Sequence, residues 1–130
     1  MVDLLHKDLS ELVIKAYYKV YNTLGYGFLE KVYENAFTVE LGVLGLEFKV
    51  QHPIDVFYRN HKVGLYYADI VVEDTIIVEL KAAETLCDEH ECQLLNYLKG
   101  TNMEVGLLFN FGKKPQFKRL VFSNKRKAIR

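Results

Sequence analysis

The sequence has little cysteine, little proline, no long apolar run and, past Glu104, no acidic residue at all. Two cysteines, Cys87 and Cys92, cannot build the disulfide framework of a small secreted domain; they fit free thiols in a reducing compartment. Two prolines, Pro53 and Pro115, leave no proline-rich linker, and no repeat or low-complexity tract divides the 130 residues. A single domain over residues 1–130 is therefore expected. No apolar stretch approaches the ~20 residues that span a bilayer. The opening residues, Met1 to Asp8, lack the basic-then-apolar order of a signal peptide. The expectation is a cytoplasmic protein with no membrane partner.

The missing acid exposes a division that the total charge conceals. Formal net charge is zero, with 17 basic and 17 acidic residues. Residues 105–130 carry 8 basic and no acidic residues, so residues 1–104 carry a net of −8. A neutral total argues against a nucleic-acid ligand. The basic end reopens that possibility through Lys113, Lys114, Lys118, Arg119, Lys125, Arg126 and Lys127, which are candidates for contact with a phosphate backbone. The last of these form a basic tail at about 124–130.

What the chain has in quantity is apolar residue: half the sequence is hydrophobic, enough for a sizeable core. Apolar residues at Leu9, Leu12, Val13, Ala16, Tyr17, Val20 and Leu24 follow a helical period, with Asp8 and Glu11 spaced as a capping box and Gly25 and Gly27 as a stop. Tyr18 and Tyr21, with Tyr26, crowd this helix and its end; Tyr18 and Tyr21 suggest a protein interface before base stacking. A second helix is expected over 29–44. Alternation at Leu46, Phe48 and Val50 reads as one strand, and Ile54–Tyr58 as another. Val63–Val72 and Thr75–Leu80 read as a central hairpin, Asp88–Lys99 as a third helix, and Val105–Phe111 and Phe117–Phe122 as a buried and an edge strand. The order is ααββββαββ, an α/β domain with a mixed central sheet flanked by helices.

Three charges interrupt the most apolar strands: Asp69 in Tyr66–Val72, and Glu79 and Lys81 in Ile76–Ala82. A buried charge costs several kcal/mol unless paired or metal-bound. Glu79 and Lys81, two apart, share a strand face. Asp69 joins them only if the hairpin turns through a three-residue loop, Glu73-Asp74-Thr75, or a bulge; a two-residue loop sets Ala68 opposite Glu79. Two carboxylates and an ammonium suit a hard divalent cation and metal-assisted phosphodiester hydrolysis. An ion pair at a strand end, with Asp69 as a solvated terminus, fits the same spacing. Cys87, His90 and Cys92 are too few and too irregular for zinc, and Gly25-x-Gly27 lacks the strand and lysine of a phosphate-binding loop.

Asp69 followed by Glu79-Leu80-Lys81 resembles the D…(E)xK signature of the PD-(D/E)xK nuclease superfamily. Gly27-Phe28-Leu29-Glu30-Lys31-Val32-Tyr33 reads as G-x-x-E-x-x-Y, the motif of the GxxExxY family assigned to that superfamily. The likeness continues through His90–Leu98 and Val105–Phe111. It implies a restriction-endonuclease-like core, Mg²⁺ or Mn²⁺ as cofactor, and nucleic acid as partner, DNA before RNA, with a homodimer or protein partner completing recognition. Glu30, Asp69 and Glu79 then match the metal-binding carboxylates, Leu80 offers its backbone carbonyl, and Lys81 is the catalytic lysine beside Asp69 and Glu79. Gln93 and Tyr97 match a Q-x-x-x-Y motif that lines the site, and Tyr33 joins them through the G-x-x-E-x-x-Y motif. The chain has Tyr21-Asn22 where many members carry His-Arg. The same resemblance also admits an inactive nuclease-fold module that binds nucleic acid or a protein.

Overall fold

A computed structural model describes residues 5–127. Residues 1–4, and the last three of the expected tail at 124–130, lie outside it. Helices α1 (Lys7–Leu24) and α2 (Glu30–Val43) come first. Strands β1 (Phe48–Tyr58), β2 (His61–Val72) and β3 (Ile76–Lys81) follow, then α3 (Asp88–Lys99), β4 (Val105–Phe111) and β5 (Pro115–Val121). One sheet runs in the order β1-β2-β3-β4-β5, antiparallel except for the parallel pair β3 and β4 that α3 connects.

Each face of the sheet has its own core. Val13, Tyr17, Phe37 and Leu41 of α1 and α2 pack on Ile76, Val78, Leu80, Leu107 and Phe109. Leu94, Tyr97 and Leu98 of α3 pack on Ala68, Ile77 and Leu108. Strand alternation explains the division: even positions of β3 face α1 and α2, and odd positions face α3. Gly106 lets α3 approach closely, because a Cβ there would lie 2.8 Å from Leu94 Cδ1. No described helix is long and apolar enough to cross a membrane.

The structure departs from the sequence reading in three places. The two strands expected over 46–58 are one continuous β1, so the order is ααβββαββ. Pro53 is tolerated because β1 is an edge strand, where a missing N–H breaks no ladder bond. Helix α1 starts at Lys7 behind His6, whose φ is 53°, and Asp8 lies in its first turn rather than at the N-cap. Tyr18 and Tyr21 are packed rather than displayed: Tyr18 meets Phe117 edge-on at 6.3 Å, and the Tyr21 hydroxyl donates to the Gly112 carbonyl at 2.7 Å.

Candidate active site

The hairpin of β2 and β3 turns through Glu73-Asp74-Thr75, the three-residue loop that the shared-face arrangement requires. Its register pairs Val72 with Ile76 and Ile70 with Val78, which sets Asp69 level with Glu79. Backbone pairing between the strands ends there. Ala68 packs into the α3 core while Ile70, two residues on, packs into the α1–α2 core. The strand therefore twists at Asp69, and the ladder opens. The two carboxylates close it: the Asp69 N–H donates to Glu79 Oε2 at 2.6 Å, and the Leu80 N–H donates to Asp69 Oδ2 at 2.8 Å. One oxygen of each carboxylate satisfies backbone, and the other remains for a further partner.

This pair is electrostatically uncomfortable. Glu79 is only 4% exposed. Burial, then the neighbouring Asp69 charge, pushes its pKa up to about 8. Burial also raises Asp69, with the charges of Glu34 and Glu30 adding to it, against the Leu80 N–H and the Lys81 ammonium. A buried and a half-buried carboxylate that resist ionisation side by side suit a hard, doubly charged cation. The residues thus fit a divalent metal.

Other expected residues surround the pair. Lys81 is half-buried at the end of β3 and donates from Nζ to Gln93 Oε1 on α3 at 3.3 Å. Tyr97, one turn further along α3, has its phenol raised to about 12, first by burial and then by Glu79 and Asp69. It stays a neutral donor beside them. The Leu80 side chain points into the α1–α2 core, leaving only its backbone to the site. Asp69, Glu79, Leu80, Lys81, Gln93 and Tyr97 are thus brought together.

Tyr33 is not among them. It is fully buried, stacked on Phe111 at 4.0 Å between ring centroids. Its hydroxyl donates to the Gly25 carbonyl at 2.7 Å and accepts the Phe28 N–H at 3.2 Å. It holds the turn that delivers α2. Glu30 is exposed at the first position of α2 and reaches the pair only through its charge. Among the described residues, no three His, Cys, Asp or Glu side chains converge as a metal cluster.

Sequence reasoning missed Glu34. One turn beyond Glu30, it is buried to 7% exposure and accepts from Lys31 Nζ and Gln51 Nε2, both at 3.2 Å. Gln51 lies between the register pairs Val50–Ile70 and His52–Ala68, that is, opposite Asp69. Its φ of 48° is left-handed, an unfavourable conformation for a residue other than glycine. A buried acid and a bent strand thus converge on Asp69 from the α2 side. Its trace in the sequence is slight: Glu30, Glu34, Phe37 and Leu41 fall on one helical stripe, where an acid at the edge is ordinary.

The loop after Lys81 is fastened from β4. Asn110, fully buried, accepts the Ala83 N–H at Oδ1 and donates from Nδ2 to the Ala83 carbonyl, each at 2.9 Å. At Gly112 a Cβ would lie 2.8 Å from the Ala83 oxygen. His90 Nδ1 accepts the Cys87 N–H at 3.2 Å, which puts Cys87 at the N-cap of α3; both cysteines are free and exposed.

The basic residues do not form one surface. Lys113 and Lys114 are exposed between β4 and β5, at the end of the sheet where Lys81 pairs with Asn110. Lys118 is exposed on β5. Arg119 donates to Ser10 Oγ at 3.4 Å and to the Leu5 carbonyl. Lys125 and Arg126 are exposed at the far end, while Lys127 Nζ donates to the Met103 carbonyl at 2.7 Å.

No curated protein matches the chain. The crystal structure of SSO0001 is similar in fold, with a TM-score of 0.55 and 18% sequence identity. The match covers 94% of this chain and 62% of that one, so the chain spans less than two thirds of that protein's length. A model of the PD-(D/E)XK nuclease superfamily matches residues 7–120, nearly the whole described domain, and the chain belongs to that superfamily.

Proposed function

We propose that the protein is a divalent-metal-dependent nuclease of the GxxExxY type that hydrolyses phosphodiester bonds in DNA. The observation that carries the reading is the interlocked pair Asp69–Glu79 at the point where β2 and β3 separate, with Lys81 on the same face as Glu79. A structural ion pair would join Lys81 to a carboxylate, yet its ammonium donates to the Gln93 amide oxygen. Asp69 and Glu79 would hold the metal, Mg²⁺ or Mn²⁺, with the Leu80 carbonyl and an acid from α2. When bound, such an ion lowers the pKa of a coordinated water and offsets charge on the phosphate.

The chain's own residues do the rest. Lys81 orients the attacking water and stabilises charge on the phosphoryl oxygens. Gln93 restrains the Lys81 ammonium, so that it is aimed before substrate arrives. Tyr97, kept neutral, offers a hydroxyl donor beside the carboxylates without adding negative charge. Lys113 and Lys114 supply phosphate contacts at the same end of the sheet.

A second reading, a nuclease-fold module without the reaction, is favoured by Glu30, which is exposed and outside any three-ligand cluster among the described residues. Cleavage of DNA in Mg²⁺ or Mn²⁺ by wild type, Asp69→Ala and Lys81→Ala separates the two. The nuclease reading expects cleavage by wild type and a loss of at least about a hundredfold in each variant. Equal background cleavage by all three rejects it.

A further inference from the structure

Beside the acidic pair, on the α3 side of the sheet, the β1–β2 hairpin and α3 stand apart and leave a trough. Its larger part, a cavity of about 600 Å³ against β1, is lined by Tyr66 of β2, Asn96, Tyr97 and Lys99 of α3, and Phe122 and Arg126 beyond β5. A smaller cavity of about 330 Å³ continues it; Tyr66, Asn96 and Tyr97 line both, and Gln93 lines the second. Gln93 is the residue that bonds Lys81. The trough therefore runs from Arg126 at one end to Gln93, the partner of the Lys81 ammonium, at the other.

Its chemistry is aromatic along the floor and cationic at the outer end. Tyr66 is half-exposed, 5.8 Å from the Tyr97 ring, which is itself buried. The Phe122 ring carries the Arg126 guanidinium at 4.7 Å and the Lys99 ammonium at 5.5 Å. The ring thus holds two cations beside the trough. Of the acids that line it, Asp55 is paired with Lys62 at 3.0 Å, which leaves Glu89 near the catalytic end.

We propose that this trough is the path of single-stranded DNA into the site, with a base stacked on Tyr66 and phosphates against Lys99 and Arg126. Aromatic faces interleaved with cations are the general means of gripping a single strand, because every base has a stacking face and every nucleotide a charge. A cavity of this size takes a drug-sized ligand, or about two nucleotides. The direction of the path, toward Asp69 and Glu79, rests on the nuclease reading; the binding does not.

The test is fluorescence anisotropy with a labelled oligothymidine of about ten nucleotides, in EDTA, against a duplex of equal length and an oligouridine. We expect the oligothymidine to bind at least about tenfold more tightly than the duplex, and Tyr66→Ala to weaken it about tenfold. Arg126→Ala should reduce the salt slope by about 0.7, the value for one phosphate neutralised on a single strand. Tyr66 and Arg126 are surface residues, so both variants should fold, and Tyr26→Ala, outside the trough, should bind as wild type. Duplex binding as tight as single-strand binding overturns the proposal, as does unchanged affinity and salt slope in both variants. Tighter binding of oligouridine overturns the choice of DNA. Single-strand binding without metal-dependent cleavage keeps the trough and rejects the hydrolase. Cleavage with binding insensitive to both substitutions does the reverse.

Discussion

Glu79, buried, and Asp69, half-buried, are acids held in the proton-binding direction, and this has a consequence for stability that needs no substrate. The Glu79 carboxyl is raised from 4.5 to about 8, so between those values the folded protein binds a proton that the unfolded chain has released. Stability from this group is complete below about pH 4.5 and is lost as pH rises through about 8. Asp69 is displaced in the same direction. Thermal unfolding in EDTA should therefore show a midpoint that falls as pH rises from about 5 to about 8. Glu79→Gln, which retains an acceptor for the Asp69 N–H, should flatten that fall. A midpoint that climbs over the same range in wild type would refute the buried-acid description. Glu34 belongs to the same scale. Its removal as Glu34→Gln takes a negative charge from the α2 side of Asp69, and Mn²⁺ titration should show weaker binding, by about tenfold. Unchanged Mn²⁺ affinity would confine Glu34 to packing. The charges interrupting apolar strands made Asp69, Glu79 and Lys81 legible from sequence. Glu34 was not, because a helical stripe tolerates an acid at its edge and only the fold shows that β1 bends over this one.

At the scale of elements, the site depends on keeping the end of β3 and its following loop against β4. Asn110 does this by hydrogen-bonding Ala83, and Gly112 by leaving room for the Ala83 carbonyl. Asn110→Leu strands the Ala83 N–H and carbonyl without partners and should cost about 1–3 kcal/mol. Gly112→Ala sets a methyl against the Ala83 carbonyl, which is backbone and cannot swing aside, with a cost of about 1–3 kcal/mol from overpacking. Denaturant unfolding measures both, and wild-type stability in either would show that the loop is not clamped. Helix α3 was legible to the residue, because its apolar positions have a helical period and Gly100 follows it directly. The continuity of β1 was not legible. His52-Pro53 looks like a break in sequence, and only the edge position of the strand makes it harmless. The hairpin loop was left open by sequence, since the choice between two and three residues depends on which carboxylates face each other across the finished sheet.

The whole molecule gives the neutral net charge a different meaning. The acidic excess includes Asp69 and Glu79, the proposed cation site, and the basic excess is dispersed. Lys113 and Lys114 stand at the Lys81 end of the sheet, Arg119 and Lys127 bond to protein oxygens, and Arg126 lines the trough. Among the described residues no single basic face marks this chain as a nucleic-acid protein, which is why composition pointed away from one while the fold points toward it. The central claim is that Asp69, Glu79 and Lys81 form a hydrolytic centre and not an ion-paired strand end. Its most direct test is the rate of DNA cleavage in Mg²⁺ by wild type and Glu79→Gln, with the metal-free thermal midpoint measured on the same samples. The account predicts that Glu79→Gln loses at least about a hundredfold in rate while its midpoint at pH 8 equals or exceeds that of wild type. Equal cleavage by the two proteins, at equal stability, would contradict it.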